Sequence, residues 1–243
     1  MRSYGQFCPI AKAAELFCNR WTALIIRDLA AGAMRFTQLK RGVPLASPTL
    51  LSRRLKELEQ EGVVERRRPA SGRGWSYHLT RAGEEFRPLV EALGVWGQRW
   101  SRRALAKYEV NLTLLLWALE ISVKPAEFKG RRCTIKLTFT DQPEQRQNWW
   151  FVNESGRVEP CFEDPGFDVD LYLITTLPDL ILVHRGDARR LGVSITVAVA
   201  RPERVRARQV PADERASCVA AEMASAATMG SPYGTFFAGH REP

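Results

Sequence analysis

Thr49, Ser52, Arg53 and Lys56 fall within eight positions that supply hydroxyl, guanidinium and ammonium donors and contain no carboxylate. Donors of this kind bind phosphate oxygens and the acceptor edges of bases, and an arginine can hold a guanine through two hydrogen bonds at once. A second basic group follows in Arg66, Arg67 and Arg68, with Arg73 beyond a Pro-Ala-Ser-Gly stretch. Covalent catalysis has no comparable candidates. There is no GxSxG, no GxxxxGK[ST] and no GxGxxG, since Gly72 and Gly74 lack a third glycine. Asp164, Asp168 and Asp170 cluster as turns and strand ends commonly do. The five cysteines (8, 18, 133, 161 and 218) contain no CxxC pair, and no two of the three histidines stand at metal-ligand spacing. No metal, no cofactor and no enzymatic activity are expected.

The spacing around the basic groups predicts the elements that hold them. Ser47 is a natural N-cap and Pro48 is preorganised for the first helical position. Leu51, Leu55 and Leu58 then form a buried stripe, which leaves Thr49, Arg53, Lys56 and Gln60 on the opposite side until Gly62 ends the helix. Upstream, helices are expected over Cys8–Asn19, Trp21–Ala30 (Leu24, Ile25 and Leu29 facing inward) and "RFTQLKRG". Downstream, strands are expected at Val63–Arg67 and Trp75–Thr80, joined by the glycine-rich tip "RPASGRG". Thr80 can cap a long helix whose Phe86, Leu89, Val90, Leu93, Trp96 and Trp100 recur on one face, with Pro88 inside it. That face is too apolar for a lone surface helix: it packs on this domain or meets a second copy of the chain.

Three short helices, a hairpin and a closing helix are the parts of a winged helix-turn-helix. One helix enters the major groove in that fold, and the hairpin arginines suit the adjacent minor groove or its phosphates. Charge agrees with this reading. Residues 1–108 hold 20 Lys/Arg against 9 Asp/Glu, a net +11, whereas residues 109–243 hold 16 against 18, a net −2. A basic half joined to a nearly neutral one suggests a polyanion-binding module followed by a separate domain.

In the second half, "LTLLLWAL" reads as a buried helix. "CTIKLTFT", "NWWFVN", "RVEPCF" and "DVDLYLIT" read as strands with turns at Asp141–Glu144, Asn153–Gly156 and Asp164–Gly166. "LPDLILVHRGDARRLG" is helical before a last strand, "VSITVAVA". Trp149 and Trp150 point to opposite faces of their strand, so one is expected in the core and the other in the core or lining a cavity or an interface. The expected organisation is a DNA-binding domain at 1–100, a linker at 101–110, a second domain at 111–200, and a tail at 201–243, read from composition as poorly ordered or with at best one weak helix from Asp213 to Met229. No apolar run approaches the roughly 20 residues that cross a bilayer. The start "MRSYGQFCPI" lacks the pattern of a secretion signal, so a cytoplasmic location without membrane partners is expected.

Residues 8–100 resemble the HxlR-type winged helix-turn-helix regulators of bacteria and archaea. The ordered motifs are Cys8-Pro9, Asn19-Arg20-Trp21, Arg35-Phe36-x-x-Leu39, the run from Ser47-Pro48 through Leu51-Ser52-x-Arg54-Leu55 to Leu58, and Leu79-Thr80-x-x-Gly83. The resemblance implies a homodimeric transcriptional regulator of double-stranded DNA. Ser47, Pro48, Thr49, Ser52, Arg53, Lys56, Arg66, Arg67, Arg68 and Arg73 would touch DNA, and Phe86, Leu89, Leu93, Trp96 and Trp100 would touch the second copy. The stretch "NWWFVNESGRVEPCFEDPGFDVDLYLITTLPDLILVHRGD" is similar to the SCP2-like sterol-carrier fold. That implies an α+β domain with a mostly antiparallel sheet, helices over an apolar cavity, and a small apolar ligand. The strongly apolar final helix of that fold is missing after Asp187.

Two other functions stay open. Cys8 begins the first helix, where the helix dipole favours a thiolate, and some HxlR-type proteins sense oxidants or electrophiles with a cysteine at this position. The alternative for Cys8 is a packing residue, and Cys18, beside Leu16 and Phe17, is read as core. A lipid-binding carrier with a vestigial DNA-binding domain is the other reading. The +11 charge of the first half argues against it.

Overall fold

A computed structural model describes residues 3–68, 74–101, 103–122, 132–154, 157–186 and 195–199. The chain forms two compact units, 1–97 and 98–243. Arg73, the tip of the hairpin and the tail from residue 200, with its expected weak helix, lie outside the described residues.

The first unit runs α1 (Pro9–Phe17), α2 (Thr22–Ala30), β1 (Met34–Arg35), α3 (Phe36–Gly42), α4 (Pro48–Gln60), β2 (Val64–Arg67), β3 (Ser76–Leu79) and, as far as Gly97, α5 (Arg81–Trp100). Its core is Ile25, Ile26 and Leu29 of α2, Leu39 of α3, and Leu51, Leu55 and Leu58 of α4, closed by Met34, Val43 and Val64. Leu24 departs from expectation and is exposed. On a helical wheel it lies off the side shared by Ile25, Ile26 and Leu29, which is the side the core uses. Cys18, expected in the core, is also exposed, because it is the C-cap of a helix that buries none of its residues within the chain.

Local chemistry accounts for the motifs. The Asn19 side chain donates to the Glu15 carbonyl at 2.5 Å and closes the end of α1. Trp21 follows in the left-handed region (φ 82°), where a residue with a Cβ costs roughly 1–2 kcal/mol. The Arg20 guanidinium lies 4.6 Å from the centre of the Trp21 ring, and the Arg20 carbonyl accepts from Arg54 Nε of α4 at 3.4 Å. Asn-Arg-Trp is therefore a turn that joins α1 to α2 and anchors α4. Buried Asp28 pairs with Arg27 at 2.7 Å, and Arg27 also donates to the Gly42 carbonyl, fixing the end of α3.

The sheet of this unit has the order β1-β3-β2, both pairs antiparallel. Two-residue β1 was not expected, since a strand so short leaves no alternation to read. Thr80 starts α5: its Oγ1 accepts from Gly83 N at 3.3 Å and donates to the Gly62 carbonyl at 2.5 Å. Gly83 is buried where a Cβ would overlap the Val63 carbonyl oxygen, so the Thr-x-x-Gly spacing lets α5 lie against the start of β2.

The second unit holds a one-turn 3-10 helix (Lys107–Glu109), α6 (Leu112–Ser122), β4 (Cys133–Phe139), α7 (Glu144–Gln147), β5 (Asn148–Glu154), β6 (Arg157–Cys161), β7 (Leu171–Thr175), α8 (Leu177–His184) and β8 (Ile195–Val199). The strand order is β6-β5-β4-β7-β8. The β4–β7 pair is parallel and the other three are antiparallel, a mixed sheet. Leu115, Leu116 and Leu119 of α6 and Leu177 and Leu180 of α8 pack with Leu137, Phe139, Phe151, Leu173 and Ile195 on one face. Trp149 is half-buried against this cluster, whereas Trp150 is buried on the opposite face, beneath Lys136 at 4.9 Å. The aspartates are structural: Asp170 accepts from Thr134 N at 2.8 Å, and Asp164 from Gly166 N at 2.9 Å. The turn expected at Asp141–Glu144 passes directly into α7, which supplies the Arg146 carbonyl that accepts from Trp149 Nε1 at 2.9 Å.

Candidate nucleic-acid interface

Helix α4 begins as its sequence requires. Ser47 Oγ accepts from Leu50 N at 3.2 Å and Pro48 occupies the first turn. With Leu51, Leu55 and Leu58 buried, Thr49, Ser52, Arg53 and Lys56 project to solvent on the other side, and Ser47 and Pro48 are exposed at its start.

Carboxylates near a basic surface would cancel it, so their partners decide its sign. Glu57 is held by a short contact to the half-buried Arg54 guanidinium. Arg53 reaches the same carboxylate only at 3.9 Å and keeps 64% of its side chain exposed. Arg54 therefore neutralises Glu57, and Arg53 stays open to an outside acceptor. Glu59, in the last turn of α4, pairs with Arg66 Nε of β2 at 3.4 Å and links the helix to the hairpin.

On the hairpin, the ladder sets Val64 opposite Leu79 and Arg66 opposite Tyr77. Arg68 and Trp75 continue that face toward the tip. The guanidinium carbons of Arg66 and Arg68 lie 4.5 and 5.0 Å from the Trp75 ring centre. Burial raises the Tyr77 phenol above its ordinary value, with Arg66 opposing and Glu59 adding to the shift. Arg67 lies on the other face and contacts Glu65. Trp75 and Glu59 were not singled out from sequence. The signal for Trp75 was there, as an aromatic residue opposite alternate arginines once the two strands are paired.

Helix α5 has a different character. Phe86 is half-buried and stacks on Phe17 of α1. Leu89, Leu93, Trp96 and Trp100 are more than half exposed, and Phe7 and Ile10 at the start of α1 more so. Half-buried Cys8 precedes α1 as its N-cap, and its side chain makes no capping hydrogen bond. Among the described residues no cluster of His, Cys, Asp and Glu could hold a metal ion, and no helix is long and apolar enough to cross a membrane.

Residues 16–105 match the family described as HxlR-like helix-turn-helix. An uncharacterized HTH-type transcriptional regulator of Bacillus subtilis, YvaP, is 37% identical over 98 residues, which cover 40% of this chain and 91% of that protein. The HTH-type transcriptional regulator YodB of the same organism is 34% identical over 95 residues, 38% of this chain and 85% of that one. The solved reduced form of YodB shares 30% identity, covering 41% of this chain and all of that one, at a TM-score of 0.36.

Proposed function

This chain belongs to the HxlR-like helix-turn-helix family of transcriptional regulators, and from that premise we propose that it is a homodimer reading a two-fold DNA site through α4 and its hairpin. The observation that carries this reading is the charge arrangement on α4. Thr49, Ser52, Arg53 and Lys56 are exposed together, while Glu57 and Glu59 are taken up by Arg54 and Arg66. The α4 donors reach base edges, and on the hairpin Arg66 and Arg68, with Arg73, meet the flanking backbone, while Arg67, on the opposite face, adds positive charge beside it.

The homodimer rests on the exposed apolar stripe of α5 and on α1, which buries none of its residues within the chain. A single copy would leave Leu89, Leu93, Trp96, Trp100, Phe7 and Ile10 in water, whereas a two-fold partner covers them. It also sets two α4 helices about one DNA turn apart. Footprinting the DNA that flanks this protein's own gene tests the reading. Two protected half-sites centred about 10 base pairs apart, or a multiple of that, are expected. Uniform weak protection without half-sites would refute sequence-specific binding.

The second unit, in this proposal, binds a small apolar molecule bearing a polar group and passes its occupancy to the DNA-reading unit. Support comes from the sheet face that carries Trp150. Trp150 Nε1 and Thr134 Oγ1 are buried there without a hydrogen-bond partner among the described residues, and buried donors are normally paired.

A further inference from the structure

Trp75 stands just before β3 with 39% of its surface exposed, at a place where the hairpin core, Val64 and Leu79, has already ended. An indole so placed adds little to the core. Its ring instead lies within 4.5 Å of the Arg66 guanidinium and 5.0 Å of that of Arg68. The two arginines differ in their other contacts: Arg66 also pairs with Glu59 of α4, whereas Arg68 has no ion pair among the described residues.

We propose that Trp75 is a positioning residue for DNA-backbone recognition, a flat support that fixes the Arg66 and Arg68 guanidiniums so that Arg68 is presented to a phosphate beside the groove entered by α4. The inference rests on the reading of α4 and the hairpin as the DNA interface. A guanidinium held within cation–π reach of a ring carries five N–H donors, and those that the ring and other partners do not engage are left for a phosphate. Stacking also removes rotamer freedom before binding, so less is lost when the phosphate arrives. Arg66, held by Glu59 on one side and the indole on the other, ties this support to α4. The register between recognition helix and backbone contact then does not depend on a free side chain.

The test uses the full chain and two duplexes of roughly three helical turns, one from the DNA flanking its own gene and one of unrelated sequence. Each is titrated across a range of salt. Trp75→Leu should weaken binding to both duplexes alike, by roughly 2–5-fold, the size of one or two exposed cation–π contacts. The slope of log affinity against log salt should become shallower by about 0.9, the value of one lost phosphate contact. Trp75→Tyr keeps a ring and should bind like the parent. Arg68→Ala should cause the same two changes, and combining it with Trp75→Leu should add almost nothing, since both remove one interaction. Trp75→Gln repeats the comparison with a polar residue suited to an exposed site, so a folding defect peculiar to leucine does not decide the result. Losses that add in the double variant, or a tyrosine variant as weak as the leucine one, would overturn the proposal. A parent that binds while the leucine and glutamine variants match it overturns this inference alone. A parent that binds neither duplex at low salt overturns the DNA-interface reading with it.

Discussion

Arg53 and Arg66 carry the same charge and are tied differently. Arg66 sits between a carboxylate and an indole, whereas Arg53 has only a distant share of a carboxylate that Arg54 already holds. Arg53→Ala should therefore weaken binding to the specific site by about 1–3 kcal/mol and leave binding to unrelated DNA nearly unchanged. Gel-shift titrations with both duplexes check this, and equal losses on the two would place Arg53 at the backbone. Gly83 makes a stability prediction at the same scale. Alanine is the better helix former by about 1 kcal/mol, yet its Cβ would overlap the Val63 carbonyl, and overpacking of this kind costs roughly 1–3 kcal/mol. Gly83→Ala should lower the denaturation midpoint, and an unchanged midpoint would mean that α5 can shift away from β2. The roles of Ser47, Pro48 and Leu51 were legible in the sequence because a cap, a first-turn proline and a stripe act within one turn of helix. Those of Trp75 and Glu59 showed only once the strand pairing and the helix–hairpin contact were known, since each depends on what the fold brings beside it.

At the scale of elements, helix and strand types could be read wherever periodicity had room to show itself. The leucine stripe of α4, the long α5 and the apolar α6 were plain. Two-residue β1 and four-residue α7 are too short to carry a period. Leu24 and Cys18 were misplaced for a related reason: an apolar residue near the end of a short helix is buried only if a neighbour covers that side. The same logic applies to α5. Its periodic face divides into Phe86, which stacks on Phe17, and a remainder of leucine and tryptophan that this chain leaves open. A carboxylate in the middle of that remainder would have to lose its hydration in a dimer but not in a monomer. Trp96→Glu should thus yield monomers that retain helix content and lose binding to a two-fold site by much more than to a single half-site. Sedimentation shows the change in mass, and circular dichroism guards against simple unfolding. A parent chain that sediments as a monomer at micromolar concentration would contradict the dimer.

For the molecule as a whole, the charge of the two halves is unequal: +11 on residues 1–108, which hold α4, and −2 on residues 109–243, which hold the five-stranded sheet. What composition could not convey is the state of the sheet face opposite α6 and α8. Trp150 and Thr134 are buried there with polar atoms unpaired among the described residues, and Lys136 lies over the indole. A molecule with an apolar body and an acceptor group would give the buried Trp150 indole N–H a partner. Binding of such a molecule changes DNA affinity only if it prefers one arrangement of the two DNA-reading units over another. Its effect on DNA must then equal the effect of DNA on it. With the full chain, a fatty acid should quench tryptophan emission saturably, and Trp150→Phe should remove most of that response. The same fatty acid at saturation should shift the affinity for a two-fold DNA site by roughly 5- to 150-fold, the usual range of allosteric coupling. Saturating DNA should shift the fatty-acid affinity by the same factor. Quenching with no change in DNA affinity would leave the second unit as a binding module uncoupled from transcription. Quenching that survives in Trp150→Phe would move the site away from this face of the sheet.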